Sequence, residues 1–364
     1  MRTPYRGRLG LQQRVLPNYR VPFFDMLAAA CDDGLGVFAG QPRPGEGIVT
    51  GTPRLAKLSA AANVHILRGA LYLCHQRGFT SWLEAWNPDA LIVEANPRYL
   101  ATASAVRWMH AGGRPVVGWG LGAPPLKGIL SGLWQARRRR FLQQFDALIA
   151  YSRRGAREYV DAGFPLERVF IATNSVAPRP SRRPDRKPRA GQATILFVGR
   201  LQRRKHVDFL LQACAEMPEP HPRLVIVGNG SERAPLESLA RHVYPAAEFA
   251  GTKHGAELEP FFMEADLFVL PGTGGLAVQE AMAHGLPVIV AKGDGTQDDL
   301  VRGGNGWQTA PEDYAALAST LRLALADVGR LRKMGEESYR IVSEEVNLES
   351  MVAAFVEALK SLNS

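Results

Sequence analysis

Short runs of Val, Ile and Leu recur along the chain, separated by segments long enough for a helix. The runs are apolar at successive positions rather than at alternating ones, so strands formed from them would be buried on both faces. Such strands alternating with helices are typical of parallel sheets covered by helices, and we predict a doubly wound α/β fold. The predicted strands are residues 34–39, 90–94, 114–118, 147–151, 168–172, 195–199, 223–228, 266–270 and 286–291.

The chain of 364 residues is long enough for two domains, at roughly 150 residues per domain. Residues 177–191, APRPSRRPDRKPRAG, combine prolines with basic residues and predict an exposed interdomain linker. A basic ligand-binding loop is the alternative interpretation of this segment. We therefore predict domains over 1–176 and 192–345, followed by a helix over 346–364 with apolar residues at helical spacing.

The net charge of +9 favours an anionic partner, either phosphate groups, an acidic membrane surface or nucleic acid. Cys31, Cys74 and Cys214 are far apart, which argues against a disulfide framework or a zinc site. The sequence contains no run of about 18 consecutive apolar residues, so we expect no transmembrane helix. We therefore expect a reducing, cytoplasmic setting, with a peripheral position at the inner face of the membrane as one alternative.

The first candidate motif is ILFVGRLQRRKHVDFLLQA at 195–213. A buried strand ends at Gly199, a short basic loop follows, and a helix is predicted to begin near His206. The start of a helix after a strand offers free backbone N–H groups to a phosphate. Arg200 and Lys205 in the loop would neutralise the charges of a diphosphate. The alternative is a solvated basic loop without a ligand.

The second candidate motif is DLFVLPGTGGLAVQEAMAHGLPVIVAKG at 266–293. Here a strand ends in a glycine-rich turn, and a helix is predicted from about Leu276. Glycine lets the backbone approach a ligand closely and adopt positive φ. Glu280, one turn into the helix, would accept hydrogen bonds from sugar hydroxyls, although it is also compatible with an exposed helical residue.

These motifs resemble those of glycosyltransferase family 4, the glycosyl transferases of group 1. GRLQRRK is similar to the family's Gly-Arg-x4-Lys diphosphate clamp, and QEAMAHGLPVI to its Glu-Ala-Met-Ala-x-Gly-x-Pro-Val signature. VGNGS at 227–231 and VYPAAEFAGTK at 243–253 resemble the family's intervening segments, so that the likeness spans roughly 168–345. The resemblance implies a GT-B fold, with two Rossmann-like domains facing each other across a cleft and a C-terminal helix that returns to the first domain.

The resemblance also implies roles for individual residues. Arg200 and Lys205 would be catalytic. The expected donor-binding residues are Gly199, Gly228, Asn229, Gly251, Thr252, Thr273, Gly274, Gly275, Leu276 and Glu280. The chain departs from the family at Gly272, because the family usually has a second glutamate eight residues before Glu280. That carboxylate normally lies beside the transferred sugar, so the identity of the sugar is open and an inactive homologue is an alternative.

The first domain offers fewer candidate site residues. In the resemblance, the loop with Tyr19 and Arg20 faces the cleft. Trp119 stands where family members often have a histidine beside the reacting sugar. Glu94 and Asn96 follow a predicted strand at its carboxyl end, where ligands of α/β proteins bind. Each of these is also compatible with a polar loop or a core anchor without a special role.

Residues 127–145, KGILSGLWQARRRRFLQQF, place large apolar residues at helical spacing beside four consecutive arginines. A basic amphipathic helix of this kind can lie on an anionic bilayer. It can equally pack on the domain with its arginines in solvent. The sequence does not decide between these two interpretations.

We predict a retaining glycosyltransferase that moves a sugar from a nucleotide diphosphate to a saccharide or lipid-linked acceptor. By resemblance, its setting is the assembly of a cell-surface polysaccharide or glycolipid. Cationic side chains would stabilise the leaving diphosphate, so neither a metal nor another cofactor is expected. The alternatives are another GT-B enzyme, such as a nucleotide-sugar epimerase or a phosphorylase, and a basic nucleic-acid-binding protein. The latter is disfavoured by the lack of a recognised binding motif, and a dehydrogenase by the lack of G-x-G-x-x-G after the first strand.

Overall fold

The computed structural model describes residues 4–126, 128, 131–186, 191–272, 274–293 and 295–362. The chain divides into two compact units. The first unit comprises Met1–Pro178 together with Leu348–Ser364, and the second comprises Arg179–Asn347. The predicted α/β architecture is confirmed in both units, since each is built on a largely or wholly parallel sheet.

The described part of the first unit contains a sheet of eight strands in the order β4-β3-β2-β1-β5-β6-β7-β8. Neighbouring strands are parallel except for β3 and β4, which form an antiparallel edge. The strands are β1 (Leu9–Val15), β2 (Leu35–Gly40), β3 (Lys57–Ile66), β4 (Leu73–Arg77), β5 (Ala90–Glu94), β6 (Val116–Gly120), β7 (Ala147–Ala150) and β8 (Val169–Ile171). The helices between them are α1 (Val21–Ala29), α2 (Phe79–Trp86), α3 (Thr102–Ala111), α4 (Ser131–Leu142) and α5 (Arg153–Asp161).

The last helix of the chain, α13 (Leu348–Lys360), completes the core of the first unit. The Phe355 ring lies 5.0 Å from the ring of Phe23 on α1 and 5.0 Å from that of Trp119 on β6, measured between centroids. Aromatic side chains packed in this way contribute both buried area and favourable ring geometry. The expectation that the C-terminal helix returns to the first domain is therefore confirmed.

The second unit is a six-stranded sheet in the order β11-β10-β9-β12-β13-β14, in which all neighbours are parallel. Its strands are β9 (Thr194–Val198), β10 (Arg223–Val227), β11 (Glu248–Gly251), β12 (Leu267–Leu270), β13 (Val288–Ala291) and β14 (Gly306–Thr309). Its helices are α6 (Val207–Ala215), α7 (Arg233–Val243), α8 (Glu259–Glu264), α9 (Ala277–Ala283), α10 (Thr296–Leu300), α11 (Tyr314–Leu325) and α12 (Val328–Glu344). The strand order reverses between β9 and β12, and ligands of doubly wound sheets bind at such a reversal.

The segment predicted as a linker, 177–191, has no helix or strand over its described part. Its two ends are anchored differently. The Ala177 carbonyl accepts a hydrogen bond from the Leu348 N–H in the first unit. Arg186 is part-buried in the second unit, where it donates to the carbonyls of Phe262 (2.9 Å), His284 (3.0 Å) and Ala265. Arg186 therefore fastens this part of the segment to the second unit instead of leaving it fully exposed.

Candidate functional site

Two loops border the point where the strand order of the second unit reverses. The basic loop, residues 199–206, follows β9, and the glycine turn, residues 271–276, follows β12. The two strands are neighbours, with Ile195 paired to Leu267 and Leu196 to Phe268. Because parallel strands end at the same edge of the sheet, the two motifs singled out in the sequence meet there.

Local packing fixes the shape of the basic loop. The Leu201 side chain is fully buried in the core of the second unit, and its N–H donates to the Asn229 carbonyl at 2.9 Å. Residues Arg203–Lys205 form a single 3-10 turn, and His206 then adopts a left-handed conformation with φ of 50°. That conformation turns the chain into α6, which begins at Val207, next to the position predicted from the sequence.

The two predicted cations of the basic loop differ in their environment. Lys205 is 6% exposed, and its Nζ donates to the Gly274 carbonyl oxygen in the glycine turn at 3.2 Å. Burial, together with the nearby charge of Arg204, lowers the pKa of Lys205 to about 8. Arg200, by contrast, is exposed at the start of the loop. The structure thus places one cation inside the junction of the two loops and the other at its surface.

Glycines allow the loops after β9 and β10 to touch through their backbones. A Cβ at Gly228 would lie 1.9 Å from the Gly199 carbonyl oxygen, and a Cβ at Gly230 would lie 2.1 Å from that of Leu201. Neither distance is compatible with a side chain. The Gly228 N–H also donates to the Gly251 carbonyl at 2.8 Å, which brings the end of β11 to the same edge. Among the other predicted residues, Asn229 and Thr252 are exposed there.

The glycine turn is pressed against the basic loop. A Cβ at Gly272 would lie 2.1 Å from the Arg204 carbonyl oxygen and 2.4 Å from the Lys205 Cα. The position at which the resembling family carries a glutamate therefore has no room for a side chain. Gly274 and Gly275 have φ of 69° and 151°. These values favour glycine. Leu276 is 42% exposed, whereas Thr273 lies outside the described residues.

Glu280 occupies the first turn of α9 and is half-buried. Within the described part of the chain, its carboxylate has no hydrogen-bond or ion-pair partner. Burial raises its pKa, and the neighbouring His284 opposes that effect. A carboxylate in this state is available to accept hydrogen bonds from hydroxyl groups of a ligand.

Comparison with known proteins identifies the family of the second unit. Residues 178–341 match the family model of the glycosyl transferases of group 1. The second unit is a group 1 glycosyltransferase domain. The resemblance to the glycosyl transferases of group 1, inferred from the two motifs, is therefore confirmed for this domain.

Curated relatives align mainly with this glycosyltransferase domain. Glycogen synthase of Mycobacterium tuberculosis (strain ATCC 25618 / H37Rv) is 30% identical over 176 residues, which cover 46% of this chain and 42% of that protein. The GDP-mannose-dependent alpha-mannosyltransferase of Mycobacterium tuberculosis (strain CDC 1551 / Oshkosh) is 39% identical over 139 residues, covering 37% of this chain and 34% of that protein. The chain thus spans less than half the length of these relatives.

Solved structures match nearly the whole chain. Anabaena Alr3699/HepE, in complex with UDP, superposes with a TM-score of 0.70 at 18% identity, over 97% of this chain and 99% of that one. Sucrose-phosphate synthase from Thermosynechococcus elongatus gives a TM-score of 0.69 at 18% identity, over 98% and 99% of the two chains. These likenesses confirm the predicted GT-B fold class, which consists of two Rossmann-like units.

Two of the candidate cleft residues of the first unit, Arg20 and Trp119, are buried in that unit. Trp119 is 1% exposed because it lies inside β6, and its ring packs on Phe23 and Phe355. Arg20 is 5% exposed, and its guanidinium donates to Asn174 Oδ1 at 2.6 Å. It also lies 5.3 Å from the centroid of the Trp119 ring. Both side chains thus serve the packing of the first unit.

The other candidates of the first unit lie at or near the ends of that unit's strands. Tyr19 is 44% exposed. Glu94 ends β5, and its carboxylate accepts a hydrogen bond from the Arg14 N–H at 2.5 Å. Burial outweighs the charge of Arg14 and raises the pKa of Glu94 to about 7. The Asn96 side chain accepts a hydrogen bond from the Arg98 N–H, as a local turn does.

Sequence reasoning missed a polar network next to Glu94. Gln12 on β1 and Gln76 on β4 are both buried, and their side-chain amides are hydrogen-bonded to each other. Gln12 Oε1 accepts a hydrogen bond from the Glu94 N–H at 3.1 Å, and Gln76 donates to Asn63 Oδ1 at 2.9 Å. The available signal was the two adjacent glutamines, Gln12 and Gln13, in the first strand LGLQQRV, since buried amides need partners.

Within the basic segment 127–145, residues Ser131–Leu142 form α4, and Ile129 lies outside the described residues. Leu133 and Trp134 are 67% and 51% exposed, so the first turns of α4 do not bury their apolar side chains in the unit.

Within the described ranges, none of the helices combines the length and the apolarity needed to span a bilayer. In the same ranges, no three His, Cys, Asp or Glu side chains gather in a group that could hold a metal ion.

Proposed function

We propose that this protein is a retaining glycosyltransferase that uses a nucleotide diphosphate sugar as its donor. The observation that carries the proposal is the buried ammonium of Lys205, held by the Gly274 carbonyl where the strand order of the glycosyltransferase domain reverses. A buried cation beside glycine-rich backbone suits an anionic ligand. The relatives include a GDP-mannose-dependent alpha-mannosyltransferase, and Anabaena Alr3699/HepE is known in complex with UDP. Both support this donor class.

The proposed chemistry is charge stabilisation. As the bond between the anomeric carbon and the diphosphate oxygen breaks, negative charge accumulates on the diphosphate. The acceptor hydroxyl oxygen bonds to the anomeric carbon on the same face, and its proton passes to the departing diphosphate. Lys205 and Arg200 stabilise that charge, and preorganised stabilisation of this kind is usually the largest catalytic contribution. Glu280 accepts hydrogen bonds from the ribose hydroxyls. We assign no metal to the reaction, because the basic loop supplies the positive charge. We also assign no protein nucleophile.

The acceptor and the setting are the less constrained parts of the proposal. We propose a saccharide or lipid-linked acceptor and a role in the assembly of a cell-surface polysaccharide or glycolipid. The exposed Tyr19 and the polar edge around Glu94 in the first unit offer hydroxyl, carboxylate and amide groups suited to a saccharide.

Removal of either cation tests the proposal. Arg200→Ala and Lys205→Met should each lower kcat/KM for sugar transfer by about a hundredfold or more, assayed with UDP-, GDP- and dTDP-sugars in the presence of EDTA. Arg203→Ala is the matched control, since Arg203 is an exposed cation of the same basic loop. Circular dichroism and thermal melting establish that the variants are folded. Near-normal turnover of both site variants would contradict the proposed roles of Arg200 and Lys205.

We further propose that α4 contacts an anionic membrane surface at its cytoplasmic face. Its exposed Leu133 and Trp134 stand beside exposed arginines at 137, 139 and 140. Basic residues near such a surface contribute roughly 1 kcal/mol each to the free energy of binding.

The protein should therefore co-sediment with vesicles containing phosphatidylglycerol but not with pure phosphatidylcholine vesicles. Trp134→Ser should weaken this binding, whereas Leu166→Ser, at a residue 71% exposed elsewhere in the first unit, should not. Equal binding to both types of vesicle argues against the proposal.

A further inference from the structure

The hairpin of β3 and β4 in the first unit projects past its neighbouring strand. Strand β3 pairs with β2 as far as Ala61, which lies opposite Gly40 at the end of β2. The rest of β3, residues 62–66, continues beyond that end and pairs with β4. Because β2 and β3 are parallel, the hairpin tip, residues 66–71, lies at the carboxyl edge of the sheet. This is the edge at which ligands of α/β proteins bind.

The hairpin tip presents large apolar side chains to solvent. Ile66 and Leu67 are exposed, and Leu71 is 71% exposed. Leu100, also exposed, lies beside the hairpin, since its N–H donates to the Cys74 carbonyl of β4 at 2.9 Å. Exposed apolar residues grouped in this way mark a surface that contacts a partner.

The sequence around the hairpin tip lacks negative charge over long stretches. Residues 47–83, which contain the hairpin, include no Asp or Glu, and neither do residues 95–145, which contain Leu100 and α4. Arg68 and Arg98 are exposed in these two stretches. Glu46 lies just before the first stretch, and its carboxylate pairs with both Arg14 (3.0 Å) and Arg43 (2.9 Å), so its charge is balanced. The hairpin tip is therefore apolar and positively charged.

This combination favours one kind of partner. A second copy of the same surface carries the same positive charge, which opposes pairing through it. Nucleic acid matches the charge but offers no apolar phase to the leucines. An anionic lipid surface matches both properties, because basic groups contact the lipid phosphates while apolar side chains enter the acyl boundary.

We propose that the hairpin tip inserts Leu67 and Leu71 into an anionic membrane surface, with Arg68 and Arg98 at the level of the lipid phosphates. Helix α4 follows β6 from the same carboxyl edge, so its first turns lie toward that edge as well. The inference rests on the proposed membrane contact of α4 and adds a second, separate point of insertion. It turns the proposed acceptor edge of the first unit toward the bilayer, which suits a lipid-linked acceptor.

The test places an environment-sensitive dye at the hairpin tip of the full chain. Leu71→Cys and Leu166→Cys are each labelled with bimane. The three native cysteines are buried, so the introduced cysteine is the one that reacts. Leu166 is the matched control, because it is also a leucine with 71% exposure but precedes β8 at the opposite edge of the sheet. With phosphatidylglycerol vesicles, bimane at position 71 should shift to blue emission and be quenched by doxyl-labelled lipid, whereas bimane at position 166 should not.

A double variant measures what insertion contributes to binding. Leu67→Asn combined with Leu71→Ser should lower the affinity for the same vesicles by about tenfold or more, because two leucine side chains no longer leave water. Both positions are exposed, and asparagine accepts the left-handed backbone of residue 67, where φ is 61°. The variant should therefore melt as the unmodified protein does. Leu166→Ser should leave the affinity unchanged.

The outcomes separate the hairpin from α4 and from sugar transfer. If the protein binds the vesicles and the dye at position 71 stays unshifted, or shifts no more than the dye at position 166, the hairpin inference fails and the contact of α4 stands. A blue shift at position 71 that appears with RNA, or with rising protein concentration in the absence of lipid, assigns the surface to another partner and overturns the inference. If the protein does not bind the vesicles, both membrane proposals fail, while sugar transfer assayed without lipid is unaffected.

Discussion

Lys205 combines deep burial with a positive charge. The residue is 6% exposed, and its ammonium is held by the Gly274 carbonyl in the glycine turn. Burial strips water from the ammonium and lowers its pKa to about 8, and the charge of Arg204 acts in the same direction. The Lys205 side chain is therefore mostly protonated at neutral pH. It loses its proton at alkaline pH values at which binding can still be measured.

This pKa predicts how the affinity for a nucleoside diphosphate depends on pH. Only the protonated form of Lys205 attracts the diphosphate, so the affinity should fall above about pH 8, by up to about tenfold per pH unit. Calorimetric titrations between about pH 7 and 10 measure this profile. In Lys205→Arg the fall should disappear over the same range, because a guanidinium stays charged. An unchanged profile in that variant would assign the titration to another group.

Single residues also mark the limit of prediction from the sequence. Arg200, Lys205 and the surrounding glycines were predictable, because a strand, a glycine and spaced cations leave a readable pattern. Trp119 was misplaced by a small boundary error. The strand predicted at 114–118 is β6 at Val116–Gly120, and this shift moves Trp119 from a loop into the core. The burial of Lys205 depends on a tertiary contact that no local pattern contains.

At the scale of elements, the glycine turn and the basic loop hold each other in place. Gly272 lies against the backbone of Arg204 and Lys205, so a methyl group there forces the two loops apart. Gly272→Ala should cost about 1–3 kcal/mol in the free energy of unfolding, the usual range for overpacking. It should also weaken the binding of nucleoside diphosphate, since Lys205 moves with its loop. Urea unfolding and calorimetric titration measure the two effects.

Gly303→Ala is the matched control for this prediction. Gly303 lies in the same unit, and a Cβ added there meets nothing within 4 Å. Its stability and its affinity should therefore stay close to those of the unmodified protein. If Gly272→Ala behaves as Gly303→Ala does, the close contact between turn and loop is not what shapes this site.

Most of the strands absent from the predicted set are at or next to sheet edges; the exception is the central strand β1, in which Gln12, Gln13 and Arg14 interrupt the apolar run. β3 and β4 form the antiparallel edge of the first unit, and β11 and β14 are the two edges of the second. β3 is mostly half-buried or exposed and mixes polar residues such as Lys57 and Asn63 with apolar ones. The continuous apolar runs that revealed the central strands are a consequence of burial on both faces, which an edge strand lacks.

At the scale of the whole molecule, the chain leaves the first unit near residue 178 and returns to it at Leu348. The first unit therefore depends on the last segment of the chain, whereas the second is continuous in sequence. Each unit has a hydrophobic core of its own, and α13 contributes Phe355 to that of the first. A family likeness within the second unit shows where the C-terminal helix packs only by analogy, because the aromatic partners of that helix, Phe23 and Trp119, lie more than 200 residues earlier in the sequence.

The separate cores predict that damage to α13 stays within the first unit. Phe355→Ala removes a fully buried ring that packs on Phe23 and Trp119, which costs about 3–5 kcal/mol. Hydrogen exchange measured by mass spectrometry should then show faster exchange in β1, β6 and β7, with β9, β10, β12 and β13 unchanged. Leu166→Ala removes an exposed leucine of the same unit and should alter neither set of strands. Faster exchange in the central strands of the glycosyltransferase domain would mean that its stability depends on α13 as well, and that the two cores do not behave as separate cooperative units.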